Sequence, residues 1–282
     1  ETGFDRDVWK QMVDLGWAGM AIPEAYGGYG FGYGGLGVVL EETGRPLVSS
    51  PLISTVLLAA TAINELGSEE QKQELLPKIV AGELLVALAL DENSSHAPSR
   101  IGTKAEKSGD GFNLSGAKTF VLDGHVAQKL IVVARSSGEI DSRQGLSLFL
   151  VDAGLEGIAI SRTHMVDSRN SAKIEFSQVE VAADALLGEV DAGFDGLDKV
   201  LDIARIGLAA EMLGSIQEVF ERILDFLKTR EQFGILIGSF QGLQHRAATM
   251  YSEIELCKSV VRAALAGLDD PAKSREDIAE LA

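Results

Sequence analysis

The chain has 282 residues, a formal net charge of −17 and a hydrophobic content of 46%. Because domains usually contain ~100–200 residues, this length predicts a large core and two or three subdomains. The excess of acidic residues argues against a nucleic-acid partner, whose phosphates require a basic surface. The longest apolar stretch, residues 51–63, is shorter than the ~20 residues that span a bilayer, so we expect no membrane span.

The chain contains one cysteine, Cys257. A single thiol excludes an intrachain disulfide framework, which fits a reducing, cytoplasmic location. The helical run around Cys257 has no histidine close in sequence. We therefore expect a buried and unreactive thiol at this position.

Residues 1 to about 85 have the pattern of helices. Ser68 and Gln71 have the spacing of a capping box, and Gly82 is the expected end of that helix. Upstream, the run GGYGFGYGGLG contains GxGxxG twice. A dinucleotide fingerprint needs a preceding strand and an acidic residue about 20 positions later, and both are missing here. The run is therefore predicted to be a loop.

From about residue 85 to residue 190 the hydrophobic period changes to two, which predicts strands. Asp110 and Gly111 are typical of a hairpin turn. Short strands without intervening helices favour an antiparallel barrel or sandwich. Residues 196–229 and 241–267 then have two long helical patterns. The predicted fold is α+β, with a helical domain at 1–84, a β-domain at 85–190 and a helical bundle at 191–282.

The sequence contains no familiar motif for catalysis by side chains alone. The four histidines lack ligand spacing and no GxSxG motif occurs, so we expect no metal site and assign no nucleophile. Asp202 and Arg205 lie three residues apart on the first long helix, a spacing typical of a surface ion pair. These observations favour either a bound cofactor or no catalysis.

Between the two long helices lies TREQFGILIGSFQGLQHR. Gly234 is expected to end the first helix, and Ser239 to cap the second. Its first part, residues 229–241, brings together an Arg, two Gln and two Phe. These residues alone leave two interpretations open. One is a helical hairpin filled by aromatic rings, and the other is a site where Arg230 faces a phosphate and the phenyl rings cover a flat ligand.

The stretch TREQFGILIGSFQGLQHRAATMY resembles the TRxQFGxPIGxFQxxQHxLADM signature of acyl-CoA dehydrogenases. LGWAGMAIPEAYGGYG, GAKTFVLDGHVAQKLIVVAR and VEVAADALLGEVDAGF resemble that family's first domain, central β-domain and entry to the bundle. The resemblance implies a helical domain, a β-barrel and a four-helix bundle, assembled as a homo- or hetero-oligomer. It also implies a longer polypeptide, with one or two further helices before this segment and two after it.

The resemblance further implies FAD, held mostly by the neighbouring subunit. The family residues that reach its adenine and pyrophosphate end correspond to Arg230, Phe233 and Gln241. Three neighbouring positions are expected close to the same end: Gln232, Ile237 and Phe240.

The flavin-ring end departs from the family pattern. The family's TEPxxGSD becomes DENSSHAPSR after Leu90, so that Asp91 replaces a Thr, and His96 and Ala97 replace Gly and Ser. The family's KxWITN becomes KTFVLD, in which Phe120 keeps an aromatic ring and Leu122 replaces a Thr. We expect Leu90, Asp91, Phe120 and Leu122 at the cofactor and Ala97 at the substrate. A carboxylate at 91 would disfavour an anionic reduced flavin through like-charge repulsion.

The catalytic base stays unassigned. Family members use a Glu, which in one branch aligns with Ala204 and in the other lies beyond Ala282. Asp202 and Arg205 match positions that line the family's substrate pocket.

The leading hypothesis is an FAD-dependent dehydrogenase that desaturates an acyl-CoA thioester and passes electrons to an electron-transfer flavoprotein or similar acceptor. The alternatives are a non-catalytic or half-site subunit of a heteromeric acyl-CoA dehydrogenase, and a flavin monooxygenase on the same fold.

Overall fold

A computed structural model describes residues 3–167 and 169–282. In the described part, helices precede and follow one large sheet. The α-helices are α1 (Arg6–Asp14), α2 (Gly32–Gly44), α3 (Thr61–Leu66), α4 (Glu69–Val80), α5 (Gly193–Thr229), α6 (Gln241–Leu268) and α7 (Arg275–Leu281). A buried π-helical segment, Leu52–Ala60, leads directly into α3. The α+β prediction is confirmed.

Local sequence signals explain where the N-terminal helices begin and end. The Asp5 carboxylate caps α1 by accepting from the backbone N–H groups of Asp7 and Val8 at 2.8 and 3.2 Å. Ser68 and Gln71 form the predicted capping box at the start of α4. Gly82 follows the C-cap of α4 with a φ of +69°, as a helix-terminating glycine does. Both predictions for α4 are confirmed.

The sheet has eight strands, and most of its pairings are antiparallel. The strands are β1 (Val86–Ala89), β2 (Lys104–Ser108), β3 (Gly111–Leu122), β4 (Lys129–Arg135), β5 (Leu146–Asp152), β6 (Ile158–His164), β7 (Asn170–Val181) and β8 (Leu186–Leu187). Their order is β6-β7-β3-β2-β4-β5-β8, and β1 joins β4 in parallel. Leu114, Leu130, Phe149 and Ile174 are fully buried beneath the sheet. This apolar face forms the core.

Strand β3 bends where it approaches the candidate site. Its register with β7 shifts between Lys118 and Val121. Within this bulge Phe120 adopts a φ of +53°, a conformation that costs energy for a non-glycine residue. The ring of Phe120 is 44% exposed as a result.

Two compact units make up the chain, and each is described by itself. The sheet unit comprises the N-terminal residues through Gly30 together with Ser49–Leu201. The bundle unit comprises Phe31–Val48 and Asp202–Ala282. In the bundle unit α2 packs closely on α5, because Gly44 faces the carbonyl of Glu211 and Gly214 faces the carbonyl of Glu41. The three predicted domain boundaries stay a prediction.

Three local predictions are wrong. Only the first half of the Gly-rich run is a loop, since α2 begins at Gly32, where the carboxylate of Asp269 accepts from the N–H groups of Tyr33 and Gly34 at 2.7 Å each. The hairpin turn between β2 and β3 is one residue earlier than predicted, with residues 109 and 110 at its centre. Cys257 is exposed on α6.

Among the described residues, no helix combines the length and the apolar character that crossing a bilayer requires.

The α2–α5 contact yields a stability prediction. A Cβ at position 214 would overlap the Glu41 carbonyl, whereas a Cβ at Gly242 on α6 would meet nothing within 4 Å. Gly214→Ala should therefore lower the free energy of unfolding by ~1–3 kcal/mol through overpacking. Gly242→Ala, the matched control, should be neutral or slightly stabilising. Urea denaturation measures both, and equal effects of the two substitutions would contradict the close packing.

Candidate functional site

The stretch between the long helices forms a small β-hairpin. Helix α5 ends at Thr229, and β9 (Glu231–Gln232) pairs with β10 (Ile235–Leu236). Phe233 and Gly234 form the two-residue turn with φ values of +57° and +79°. Positive φ at both central residues is the signature of a type I′ hairpin turn. The prediction that Gly234 ends the helix is therefore wrong, because its left-handed conformation serves the hairpin.

Helix α6 begins without a side-chain cap. Ser239, the predicted N-cap, lies in a 3-10 turn and donates its hydroxyl to the Leu236 carbonyl at 2.6 Å. Phe240 occupies the N-cap position and offers no side-chain acceptor. The prediction for Ser239 is wrong by one residue. The N-terminus of α6 therefore has no side-chain cap, and its free N–H groups and the helix dipole favour an anionic group there.

The predicted adenine-end residues lie together around this hairpin. Arg230, Gln232 and Gln241 are exposed, and Ile237 is half-buried. Phe233 is 92% exposed, and its ring meets that of Phe240 edge-on at a centroid separation of 6.3 Å. The Arg230 guanidinium has no hydrogen bond or ion pair with any described residue. The hairpin and its flanks thus offer an unshared guanidinium, two amides, one exposed ring and one half-buried ring, which suits a phosphate attached to a flat ring system.

A second cluster, in the sheet unit, contains the predicted flavin-ring positions. The Asp91 carbonyl accepts from Thr119 N at 2.7 Å, which holds Asp91 beside the β3 bulge and Phe120. The Asp91 carboxylate lies 3.1 Å from His96 Nδ1. Ala97 follows in the same loop and is half-buried. The structure therefore places Asp91 next to the β3 bulge and pairs it with His96. From the sequence, His96 was noted only as a residue that replaces a family glycine.

Leu90 and Leu122 were both expected at the cofactor, and the structure places them in two different surroundings. Leu90 is 5% exposed, and its carbonyl accepts from Lys118 Nζ at 3.0 Å, so it supports the loop from inside. Leu122 is half-buried and lies directly across from Ser171 of β7. The Ser171 hydroxyl is buried and has no hydrogen-bond partner among the described residues. The apolar side chain of Leu122 cannot form a hydrogen bond with this hydroxyl. A hydroxyl-bearing side chain at 122 would lie across from Ser171, where it could form one.

Beneath Asp91 lies a buried ion pair. The fully buried ammonium of Lys118 donates to Glu92 Oε1 at 2.8 Å. Burial lowers the pKa of Lys118 to about 8, although Glu92 opposes the change. Burial also acts to raise the pKa of Glu92, but the charge and hydrogen bond of Lys118, with the N–H groups of Thr103 and Gly102, outweigh it and hold this pKa below its usual value.

In the bundle unit Asp202 is 4% exposed, so it is not a residue of a surface ion pair as its spacing suggested. One carboxylate oxygen pairs with Arg205, and the other pairs with Arg275 of α7. Ala204, beside them on α5, is 5% exposed and offers no proton acceptor. Arg275 was not predicted, since it is far from Asp202 in sequence. No sequence signal marked it, because the need for a second cation follows from the burial of Asp202, which the spacing did not predict.

No cluster of three or more metal-ligating side chains occurs within residues 3–167 and 169–282.

Sequence comparison matches three domain profiles along the chain. They are described as acyl-CoA dehydrogenase, N-terminal domain (residues 1–83), middle domain (residues 89–179) and C-terminal domain (residues 191–281). Mitochondrial isovaleryl-CoA dehydrogenase of Pongo abelii is 34% identical over 91% of this chain, which spans 62% of that protein. The enzyme of the same name from Oryza sativa subsp. japonica is 33% identical over 98% of the chain and 68% of its own length.

Two solved structures show the same fold. The Tcur3481-Tcur3483 steroid ACAD G363A variant has a TM-score of 0.84 and 36% identity, over 96% of this chain and 71% of that one. The ChsE4-ChsE5 complex from Mycobacterium tuberculosis has a TM-score of 0.85 and 30% identity, over 99% of this chain and 72% of that one.

The Lys118–Glu92 pair yields a second stability prediction. Lys118→Met should destabilise the protein by ~3–5 kcal/mol at pH 7, because Glu92 is left largely buried without its cation. The double variant Lys118→Met/Glu92→Gln should recover part of this loss. Lys129→Met removes a more exposed partner of Asp152 and should cost under ~1 kcal/mol. Urea unfolding of the four proteins tests the ranking.

The same pair predicts a pH dependence. The folded pKa of Lys118, about 8, lies below its usual 10.5, so the unfolded chain binds more protons between these values. The contribution of Lys118 to stability should therefore rise from pH 8 to 10.5. This rise should be absent in Lys118→Met, and parallel pH profiles for the two proteins would contradict it.

Proposed function

Because the chain belongs to the acyl-CoA dehydrogenase family, whose members are FAD-dependent flavoproteins, we propose that it acts in the α,β-desaturation of an acyl-CoA thioester. The observation that carries this proposal is the exposed hairpin Glu231–Leu236 with its unshared Arg230 guanidinium. This arrangement leaves the apolar ring of Phe233 almost fully in water beside a guanidinium that no described residue uses. It becomes favourable when the rings and the charge contact a ligand that is both flat and anionic.

The site residues in and beside the hairpin have distinct roles in this proposal. Arg230 donates to the pyrophosphate, for which its planar fork is well shaped. The N–H groups at the start of α6 add donors for the same anion, and Gln241 and Gln232 supply amide groups around it. Phe233 and Phe240, with Ile237, cover the adenine. These residues fit the adenine and pyrophosphate end of FAD, which in this family is shared between neighbouring subunits.

The sheet unit would hold the flavin ring less completely. When bound, FAD accepts the hydride that leaves the β-carbon of the acyl group. Phe120 supplies an exposed ring for the isoalloxazine, and Asp91 can accept a hydrogen bond. Two hydroxyl donors of the family pattern are missing at Asp91 and Leu122. Because Ala204 cannot accept a proton, the α-proton must leave to another group, and the catalytic residue stays unassigned.

A half-site subunit of a heteromeric acyl-CoA dehydrogenase is the second candidate. Two observations favour it. The Asp91 carboxylate is paired with His96 where a neutral hydroxyl is usual, and position 204 carries a buried methyl group. Both solved structures described above have two proteins in their names. In this arrangement the present chain would contribute Arg230 and its neighbours to FAD that a partner chain holds at the ring end.

Both candidates require an oligomer, and the bundle unit has surfaces suited to one. Helix α5 exposes apolar side chains at helical spacing, and so does α6. They are Leu208, Met212, Ile216, Val219 and Phe226 on α5, and Tyr251, Leu256 and Val260 on α6. An exposed apolar surface of this kind marks a contact region. We propose an acyl-CoA substrate, a homo- or hetero-oligomeric partner and an electron-transfer flavoprotein or similar acceptor. A cytoplasmic location stays a prediction.

Substitution of Arg230 tests the cofactor role. Arg230→Ala should weaken FAD binding roughly ten- to hundredfold, because a charged hydrogen bond to a phosphate is lost. Arg230→Lys keeps the charge without the fork and should lie between. Arg222→Ala, which removes another exposed arginine from α5, is the control and should bind FAD normally. FAD titration with melting curves of apo and loaded protein gives the answer. Unchanged affinity in Arg230→Ala would refute the role.

Restoring the missing hydroxyls separates the two candidate functions. Asp91→Thr/Leu122→Thr should raise the FAD content of the chain purified alone, as each regained hydrogen bond contributes ~0.5–1.5 kcal/mol. Anaerobic addition of acyl-CoA thioesters then reports flavin bleaching. Bleaching by the wild-type chain alone supports the dehydrogenase. Bleaching that appears only with a partner chain supports the half-site. If the wild-type chain already holds one FAD tightly and the substitutions do not raise its FAD content, the proposal that this chain binds the flavin ring weakly is wrong.

A further inference from the structure

The loop between β1 and β2 contains Asp91, His96 and Ala97, and its stem is closed by Glu92. Glu92 Oε2 accepts from Gly102 N at 2.7 Å, and Oε1 accepts from Thr103 N at 2.8 Å. The start and the end of the loop are thereby joined. Residues 93–98, which we name the 93–98 arc, are exposed or half-buried between these two points. The arc therefore needs a further restraint if its residues are to have fixed positions.

Arg135, the last residue of β4, bonds to the segment that directly follows the arc. Arg135 is 9% exposed, yet no carboxylate bonds to its guanidinium within the described residues. Its five N–H groups donate instead to six backbone carbonyls, at distances between 2.8 and 3.3 Å, and one N–H of Nη2 is shared between two of the three carbonyls around that nitrogen. The acceptors are Ser99, Ile101, Ser137, Ile140, Ser142 and Gln144. These carbonyls use all three nitrogens of the guanidinium.

The acceptors belong to two separate loops, one at 99–101 beside the arc and the other at 137–144. Long loops without secondary structure normally vary in conformation. One guanidinium bonded to both loops makes their positions depend on each other. A lysine could not replace it, because an ammonium has three donors and no planar fork. The same loops are also joined by one backbone hydrogen bond, from Ile101 N to the Ile140 carbonyl at 3.2 Å. On the outside Arg100 and Asp141 link them at 3.3 Å, with both side chains more than 60% exposed. An exposed pair of this kind contributes little order.

We propose that Arg135 is a positioning residue for the cofactor-facing loop: by bonding to residues 99 and 101 it holds the 93–98 arc, and with it Ala97 and the contact of His96 with the Asp91 carboxylate, in the conformation that receives the flavin ring of FAD. This inference rests on the proposed function. Arg135 is buried within the loops, so its action is through the arc and not by contact with the ligand. Rigid support of this kind matters because a binding site loses affinity when its supporting shell is loose.

Arg135→Lys in the assembled full-length protein is the principal test. It should raise the FAD dissociation constant roughly tenfold or more and change the visible flavin spectrum. Arg100→Lys, in the same loop but exposed, should do neither. Phe149→Leu, which changes a fully buried core residue of the same unit, is the control for destabilisation. It is compared with Arg135→Lys at an equal decrease in melting temperature. Its FAD affinity should stay near that of the wild type. Equal loss of affinity in Arg135→Lys and Phe149→Leu would show a merely structural role and overturn the proposal.

Hydrogen exchange of the wild-type protein is a test that does not depend on how the variant folds. Because the two loops are joined by the Arg135 guanidinium and by the hydrogen bond from Ile101 N to the Ile140 carbonyl, the amides of 99–101 and of 137–144 should open with the same free energy, and FAD should slow both sets together. Independent opening of the two loops would overturn the proposal. Coupled opening without any effect of FAD would refute the proposed cofactor role while leaving the structural link intact, so the two failures are distinguishable.

Discussion

The fully buried ammonium of Lys118 is the constraint on which the arrangement of the sheet unit's candidate site depends. A buried cation is tolerated only when its charge is paired and its donors are used. Lys118 meets this requirement by donating to Glu92 and to the Leu90 carbonyl. The chain leaving β1 must therefore run alongside the β3 bulge. Once it does, the Asp91 carbonyl is in place to accept from Thr119, and the next residue, Phe120, projects outward.

Because these bonds fix the backbone of the loop, its side chains can vary while the path of the backbone stays the same. The backbone at 90–92 is fixed by a carbonyl, a carboxylate and a backbone hydrogen bond, none of which uses the side chain of residue 91. The stem at 102–103 is fixed by Glu92 in the same way. Side chains at 91, 96 and 97 are thus free to differ from the family pattern while the loop keeps its shape. An acid and a histidine can replace hydroxyl and glycine there with little effect on folding.

The sequence predicted those features that depend on neighbouring residues. The alternation of residues 85–190, the long helical patterns and the Ser68–Gln71 capping box all depend on short-range geometry, and the structure confirms them. The errors have a common physical origin. Gly234 indicates a positive φ, but the residue alone does not distinguish the end of a helix from a hairpin turn. The start of α2 at Gly32 depends on Asp269, more than 230 residues away, which no local pattern reveals.

The candidate site shows the same division. Arg230, Phe233 and Gln241 could be recognised because one contiguous stretch contains them. Arg135 and Arg275 could not, because their significance comes from loops and helices that are distant in sequence. An arginine with six carbonyl acceptors and an arginine on a buried carboxylate look alike in the sequence. Only the surroundings distinguish the residue that orders two loops from the one that shares Asp202 with Arg205.

The bundle unit and the sheet unit each contain positions that match cofactor positions of the family, and the two sets have diverged from the family pattern to different extents. The bundle unit keeps the arginine, rings and amides expected around adenine and pyrophosphate. The sheet unit has Asp91 and Leu122 at two positions where the family pattern has a hydroxyl group. Under the proposed function, the adenine-end residues serve FAD held mainly by a neighbouring subunit, so they are useful even when the chain's own ring end is weak. A homomeric enzyme would need both ends in every chain, since each copy would hold its own flavin ring. The uneven divergence is therefore the pattern expected when the partner chain differs from this one.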